Sequence, residues 1–145
     1  MRADARGSFV FIQALTSVAL LHRRVTEVVI GAFYEVYNEL GYGFLEVVYT
    51  RALELELKAR GLSVQREQPI QVWYKEQEVG LYRADLLVND AVLVEVKASR
   101  HIDPSAHSQL VHYLTATRLD VGLLLHFGLD PFFKRVVLST HSRAK

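Results

Sequence analysis

The chain contains no cysteine, and that one absence removes several chemistries. A thiolate nucleophile, a cysteine-based zinc site and an iron–sulfur cluster are all excluded. Neither sign of charge dominates: 17 Lys and Arg against 16 Asp and Glu leave a net charge of +1. Such a balance argues against a histone-like partner or basic arm that binds by bulk charge. No Walker loop, no G-x-G-x-x-G and no Ser-His-Asp order occurs, so nucleotide hydrolysis, dinucleotide redox chemistry and acyl transfer have no support. The six histidines, His22, His101, His107, His112, His126 and His141, lack metal-ligand spacing such as H-E-x-x-H.

Long hydrophobic runs are also missing. Residues 8–21 are largely apolar and follow Arg2 and Arg6, but the run falls short of the about 20 residues that a bilayer span needs. Ser17 and Ala19 have the spacing of a signal-peptide cleavage site. Against that reading, Gln13, Thr16 and Ser17 interrupt the run, and Arg23 and Arg24 follow it directly. The plainer reading is an N-terminal extension over residues 1–20, packed on the domain or added by an early start codon. A cytoplasmic protein without a membrane partner is expected.

What is present suits one ordinary globular domain: 145 residues, half of them apolar and 23% charged. Helical spacing of Val25, Val28, Val29, Ala32, Val36 and Leu40 predicts a helix over residues 24–40. A second is predicted over residues 44–60, between the turn Gly41-Tyr42-Gly43 and Gly61. The period then changes to that of strands at residues 63–67, 70–74, 79–88 and 91–97. Gln68-Pro69, the residues 75–78 and Asn89-Asp90 read as turns between them. Asp103-Pro104 opens a helix expected to run to about Arg118. Residues 121–127 read as a buried strand and 132–138 as a last one. The order α-α-β-β-β-β-α-β-β describes one α/β domain over residues 21–145, a mixed sheet flanked by helices.

Charges inside this sheet attract attention. Asp85 interrupts one apolar strand, and Glu95 and Lys97 interrupt the next. Charges in central strands are costly unless they are paired or bind a metal. Period 2 places Glu95 and Lys97 on one face. Asp85 joins them only if it opposes Glu95, which makes the hairpin loop Asn89-Asp90-Ala91 with one left-handed position. In that register Ala84, Leu86, Val88, Val92, Val94 and Val96 share an apolar opposite face. Two carboxylates from adjacent strands make half of a Mg²⁺ site, with water and phosphate filling the rest. Such a metal polarises a phosphoryl group and activates water, and a lysine beside it offsets developing charge. The same three residues also suit a Glu–Lys or Asp–Lys cross-strand pair on a solvated face.

Asp85 with Glu95-Val96-Lys97 resembles the PD-(D/E)XK nuclease signature. Upstream, the string from Gly43 through Glu46 to Tyr49 matches the G-x-x-E-x-x-Y that names the GxxExxY family of that superfamily. Ile30-Gly31-Ala32, Asn38-Glu39-Leu40-Gly41 and the stretch around Tyr82, Arg83 and Ala84 fit as well. The likeness covers roughly residues 25–125. It implies a restriction-endonuclease-like core: helix, three-stranded meander, helix and strand. It also implies a Mg²⁺-dependent nuclease, with Mn²⁺ as a substitute, that hydrolyses phosphodiester bonds in DNA. Asp85 and Glu95 are then the metal ligands and Lys97 the catalytic lysine. Glu46 matches an acidic position on the first core helix, where it holds a water or a second metal. Its simpler reading is a helix-start glutamate favoured by the macrodipole, and Tyr49 is expected to pack rather than react. Gln109 and Tyr113 are similar to the Q-x-x-x-Y of RecB-type nucleases and share a helix face, where they contact substrate or simply pack the helix. Arg83, like Arg66, Lys134 and Arg135, suits phosphate tracking or a solvated surface, and Arg100 and His101 follow the motif closely. Ala84 stands where the signature has proline. The alternative function is a non-catalytic nucleic-acid-binding or protein-interaction module that kept the fold. The resemblance to small nucleases of this fold also allows a homodimer, with two sites facing two strands.

Overall fold

Val29, Ala32, Phe33 and Val36 recur at helical spacing, and all four are buried on one side of helix α1 (Arg23–Leu40). Gly41 ends that helix at φ 70°, a left-handed value, and its N–H bonds to the Tyr37 carbonyl. Helix α2 (Glu46–Ala59) buries Tyr49, Thr50, Leu53 and Leu57. It starts two residues later than the sequence predicts, because residues 41–45 form a loop. The computed structural model describes residues 22–138. The N-terminal extension, its Ser17 and Ala19, and His141 lie outside the described residues.

Five strands follow in the spatial order β1-β2-β3-β4-β5. Strand β1 (Val64–Tyr74) is continuous, where two strands separated by a turn at Gln68-Pro69 are expected. It is an edge strand, so proline's missing N–H interrupts no second ladder, and Pro69 sits opposite Arg83. Glu67, two residues before it, takes a φ of 56°, and the register with β2 shifts farther on, between Val72 and Trp73. Only three strands therefore precede the third helix, not four. The expected four-residue turn over 75–78 also shortens. Lys75 and Glu76 both have positive φ, and Gln77 already pairs with Tyr74.

Strand β2 (Gln77–Val88) runs antiparallel to β3 (Val92–Lys97), with Leu86 opposite Val94 and Val88 opposite Val92. The loop is Asn89-Asp90-Ala91 as expected, although both Asn89 and Asp90, rather than one of them, are left-handed. Helix α3 (Ser105–Thr117) then crosses over to β4 (Val121–Phe127), which lies parallel to β3. Pro104 holds its N-terminal cap position, and Asp103 just before it braces the first turn, its Oδ1 accepting the Ser105 N–H at 2.9 Å. Strand β5 (Pro131–Val137) closes the other edge antiparallel to β4.

The sheet is covered on both faces. Helices α1 and α2 pack Phe33, Tyr49 and Leu53 against Leu86, Val94, Leu123 and Phe127. Helix α3 packs Leu110, Tyr113 and Leu114 against Ile70, Leu93 and Leu124. Every residue of β4 is buried, which explains its unbroken apolar run. His126 within it is a core histidine, with Nε2 3.4 Å from Ser99 Oγ. One expected position is corrected: Ala84 packs in the cluster beneath α3, not with Leu86 and Val88. Strand alternation breaks at its neighbour Asp85, where neither Glu67 nor Asp85 takes a ladder position. No helix among the described residues is long and apolar enough to cross a membrane.

Candidate active site

Extending the register of Leu86 and Val94 by one step sets Asp85 opposite Glu95. At that step side chains replace the backbone ladder. The Asp85 N–H donates to Glu95 Oε1 at 3.0 Å, and the Val96 N–H donates to Asp85 Oδ2 at 2.7 Å. Each carboxylate is thus oriented through one oxygen, while Asp85 Oδ1 and Glu95 Oε2 have no hydrogen-bond partner among the described residues. Lys97, two residues on from Glu95, donates from Nζ to Gln109 Oε1 at 3.3 Å. It forms no ion pair among the described residues. The arrangement is not a solvated Glu–Lys pair, because Glu95 is only 4% exposed.

Electrostatics follow from this burial. Desolvation, and then the charge of Asp85, push the Glu95 carboxyl up to about 8 against the opposing pull of the Asp85 N–H and Lys97. Burial also raises Asp85, opposed by the Val96 N–H and reinforced by Glu46. Two adjacent buried carboxylates without a neutralising cation retain a proton. Their chemistry fits a hard divalent cation: oxygen donors only, each with one free oxygen. No three His, Asp or Glu side chains among the described residues approach closely enough to share an ion. Glu46 acts on the pair through its charge, which raises both carboxyls, and most of the shell would fall to water and substrate.

The G-x-x-E-x-x-Y string behaves as one local unit. Gly43 has φ 120°, which side-chain-bearing residues rarely adopt. The Tyr49 hydroxyl donates to the Gly41 carbonyl and accepts the Phe44 N–H, so it clamps the loop that leads into Glu46. Its ring stacks on Phe127 with centroids 4.2 Å apart. Tyr49 packs, as expected. Glu46, the first residue of α2, is exposed and borders a cavity of about 910 Å³.

Lys97, Gln109 and Tyr113 line the same cavity. Arg83 does not: it is exposed on β2 opposite Pro69. Arg66 pairs with Glu54 at 3.2 Å, and Arg135 donates to Thr26 at 3.3 Å beneath α1. Lys134, Arg100 and His101 are exposed and lie outside the cavity lining. Tyr82 and His112 do line it, although sequence reasoning assigned them no role. Tyr82 stands in the quoted string before Asp85, but nothing in the local pattern says that β2 brings its ring to α3.

A family model described as the PD-(D/E)XK nuclease superfamily matches residues 23–136. No curated protein matches the chain. Among solved structures, the crystal structure of SSO0001 is 19% identical over 87% of this chain, with a TM-score of 0.48. The chain covers 64% of that structure's chain, less than two thirds of its length.

Proposed function

Because the chain belongs to the PD-(D/E)XK nuclease superfamily, we propose that it is a Mg²⁺-dependent nuclease that hydrolyses phosphodiester bonds in DNA, of the GxxExxY type. What supports this reading most is the cross-bracing of Asp85 and Glu95, which leaves one oxygen of each, from two adjacent strands, without a hydrogen bond among the described residues. Those two side chains would hold the ion, with Mn²⁺ as a substitute. When bound, Mg²⁺ supplies Lewis-acid polarisation of the phosphodiester and lowers the pKa of water. Lys97 orients the attacking water and offsets charge that grows on the phosphate. Gln109 holds the Lys97 ammonium in place for that task. Glu46 fixes a water at the cavity mouth, and Tyr113 backs the substrate.

A cleavage panel of single-stranded, duplex and branched DNA and of RNA, with Mg²⁺, Mn²⁺ or EDTA, tests the reading. Cleavage that depends on the metal is expected. Lys97→Ala should lose about 10²–10³ in rate while keeping most DNA affinity, since its contact matters in the transition state. In a protein that only binds DNA, the same change would lower affinity and reduce the salt slope by about one unit. Salt-dependent binding with no cleavage of any substrate would overturn the nuclease.

A further inference from the structure

Two tyrosines, Tyr82 and Tyr113, line the cavity together with Lys97 and Gln109. Tyr82 lines it and is nevertheless 51% exposed, while Tyr113 beside it is buried. The two rings lie with centroids 5.7 Å apart, tilted by 42°. Tyr113 thus supports one side of Tyr82 and leaves the rest of that ring open. The backbone is arranged to present it. Strand β2 pairs with β3 only at Leu86, Leu87 and Val88, so its earlier residues form a two-stranded arm with β1. Gly80, two residues before Tyr82, leaves space for the ring: a Cβ there would meet Tyr82 Cε2 at 3.3 Å and Val72 Cβ at 3.6 Å.

Charge on the same cavity points the same way. Among the described residues, Lys97 is the one lysine or arginine that lines it, set against Glu46 and Asp103. Duplex DNA carries a charge about every 1.7 Å of axis and is held by several Lys and Arg contacts. A wall with a single ammonium does not offer that track. Single strands bind differently, since an unpaired base exposes a π face that stacks on an aromatic side chain.

We infer that the substrate is single-stranded DNA, with an unpaired base stacked on Tyr82 while the adjoining phosphate meets Lys97. The inference rests on the nuclease reading above and narrows its substrate class. Binding measured without chemistry separates the two. Fluorescence anisotropy with Ca²⁺ in place of Mg²⁺ would compare a labelled oligo-dT strand, the same strand with abasic sites, its blunt duplex with oligo-dA, and oligo-U.

The single strand should bind more tightly than the duplex, and abasic sites should weaken it. Tyr82→Ala should weaken single-strand binding roughly 5- to 150-fold, the range that one base–aromatic stack supplies, whereas Tyr82→Phe keeps the ring and the affinity. Circular dichroism of both variants checks the fold. Unchanged single-strand affinity in Tyr82→Ala would overturn the inference. So would a duplex bound as tightly and weakened as much, an absence of binding by the wild type, or oligo-U bound in preference to oligo-dT. Parallel cleavage with Mg²⁺ keeps the two claims apart. Tyr82-dependent single-strand binding without cleavage would sink the nuclease alone, and cleavage with Tyr82-independent binding would sink the stacking site alone.

Discussion

Glu95 is the residue at which function and stability pull in opposite directions. Its carboxyl is raised from an ordinary 4.5 to about 8, first by burial and then by Asp85. Between those values the folded protein binds a proton that the unfolded chain has released. Stability of the metal-free protein therefore falls as pH rises from about 4.5 to 8 and levels off above. Asp85 is shifted in the same direction and reinforces the slope. Glu95→Gln removes the charge yet keeps an oxygen to accept the Asp85 N–H. Urea unfolding in EDTA at pH 5, 7 and 9 should show wild-type stability declining across the series. The Gln variant should give a flatter profile and the greater stability at pH 9, while losing activity. A wild-type profile that rises between pH 5 and 8 would show that this pair is not held protonated.

At the scale of elements, the loop before α2 and the first turn of that helix form one device. Glu46 has no side-chain cap holding its helix start, and Leu45 precedes it in extended conformation. The Tyr49 hydroxyl supplies the missing restraint by bonding the backbone at Gly41 and Phe44. Tyr49→Phe keeps the ring on Phe127 and deletes both bonds. We expect a loss of about 1–2 kcal/mol in stability, in line with one or two net hydrogen bonds. Cleavage should fall because Glu46 is no longer fixed, while DNA affinity in Ca²⁺ stays. Chemical denaturation and cleavage rates on the same variant check both parts; unaltered cleavage would remove Tyr49 from the positioning of Glu46. Strand β1 shows the other side of local reading. Gln68-Pro69 has the composition of a turn, yet the chain runs straight through it, because proline is tolerated where only one neighbour strand exists.

For the whole molecule, two cores on opposite faces share a single sheet, and both draw on residues between Val25 and Leu138. We propose that residues 21–145 are the folding unit and residues 1–20 an extension. A chain beginning at residue 21 should unfold in one transition with the urea midpoint and m-value of the full chain. A drop of more than about 1 kcal/mol would mean that the first twenty residues belong to the fold. The sheet also decides where the candidate site can sit. The parallel pairing of β3 with β4 requires a crossover, and that crossover is α3. Its Gln109 and Tyr113 are thereby laid over Lys97 rather than elsewhere on the surface.

The sequence by itself determined the α/β class, both N-terminal helices, the hairpin register and the grouping of Asp85, Glu95 and Lys97. Those features rest on short-range periodicity: 3.6 for helices, 2 for strands, and a loop length that selects one register. Tertiary structure alone decided three other matters. It turned Asp85 and Glu95 to brace each other's backbone, which needs two strands already side by side. It left Arg83 outside the cavity and brought Tyr82 in, because the β1–β2 arm parts from β3 beyond the Leu86–Val94 pair while β3 itself runs on beside β4. It also set Glu46 where its charge raises both carboxyls. Distances between elements far apart in sequence depend on how the sheet and helices pack, and no local pattern encodes them.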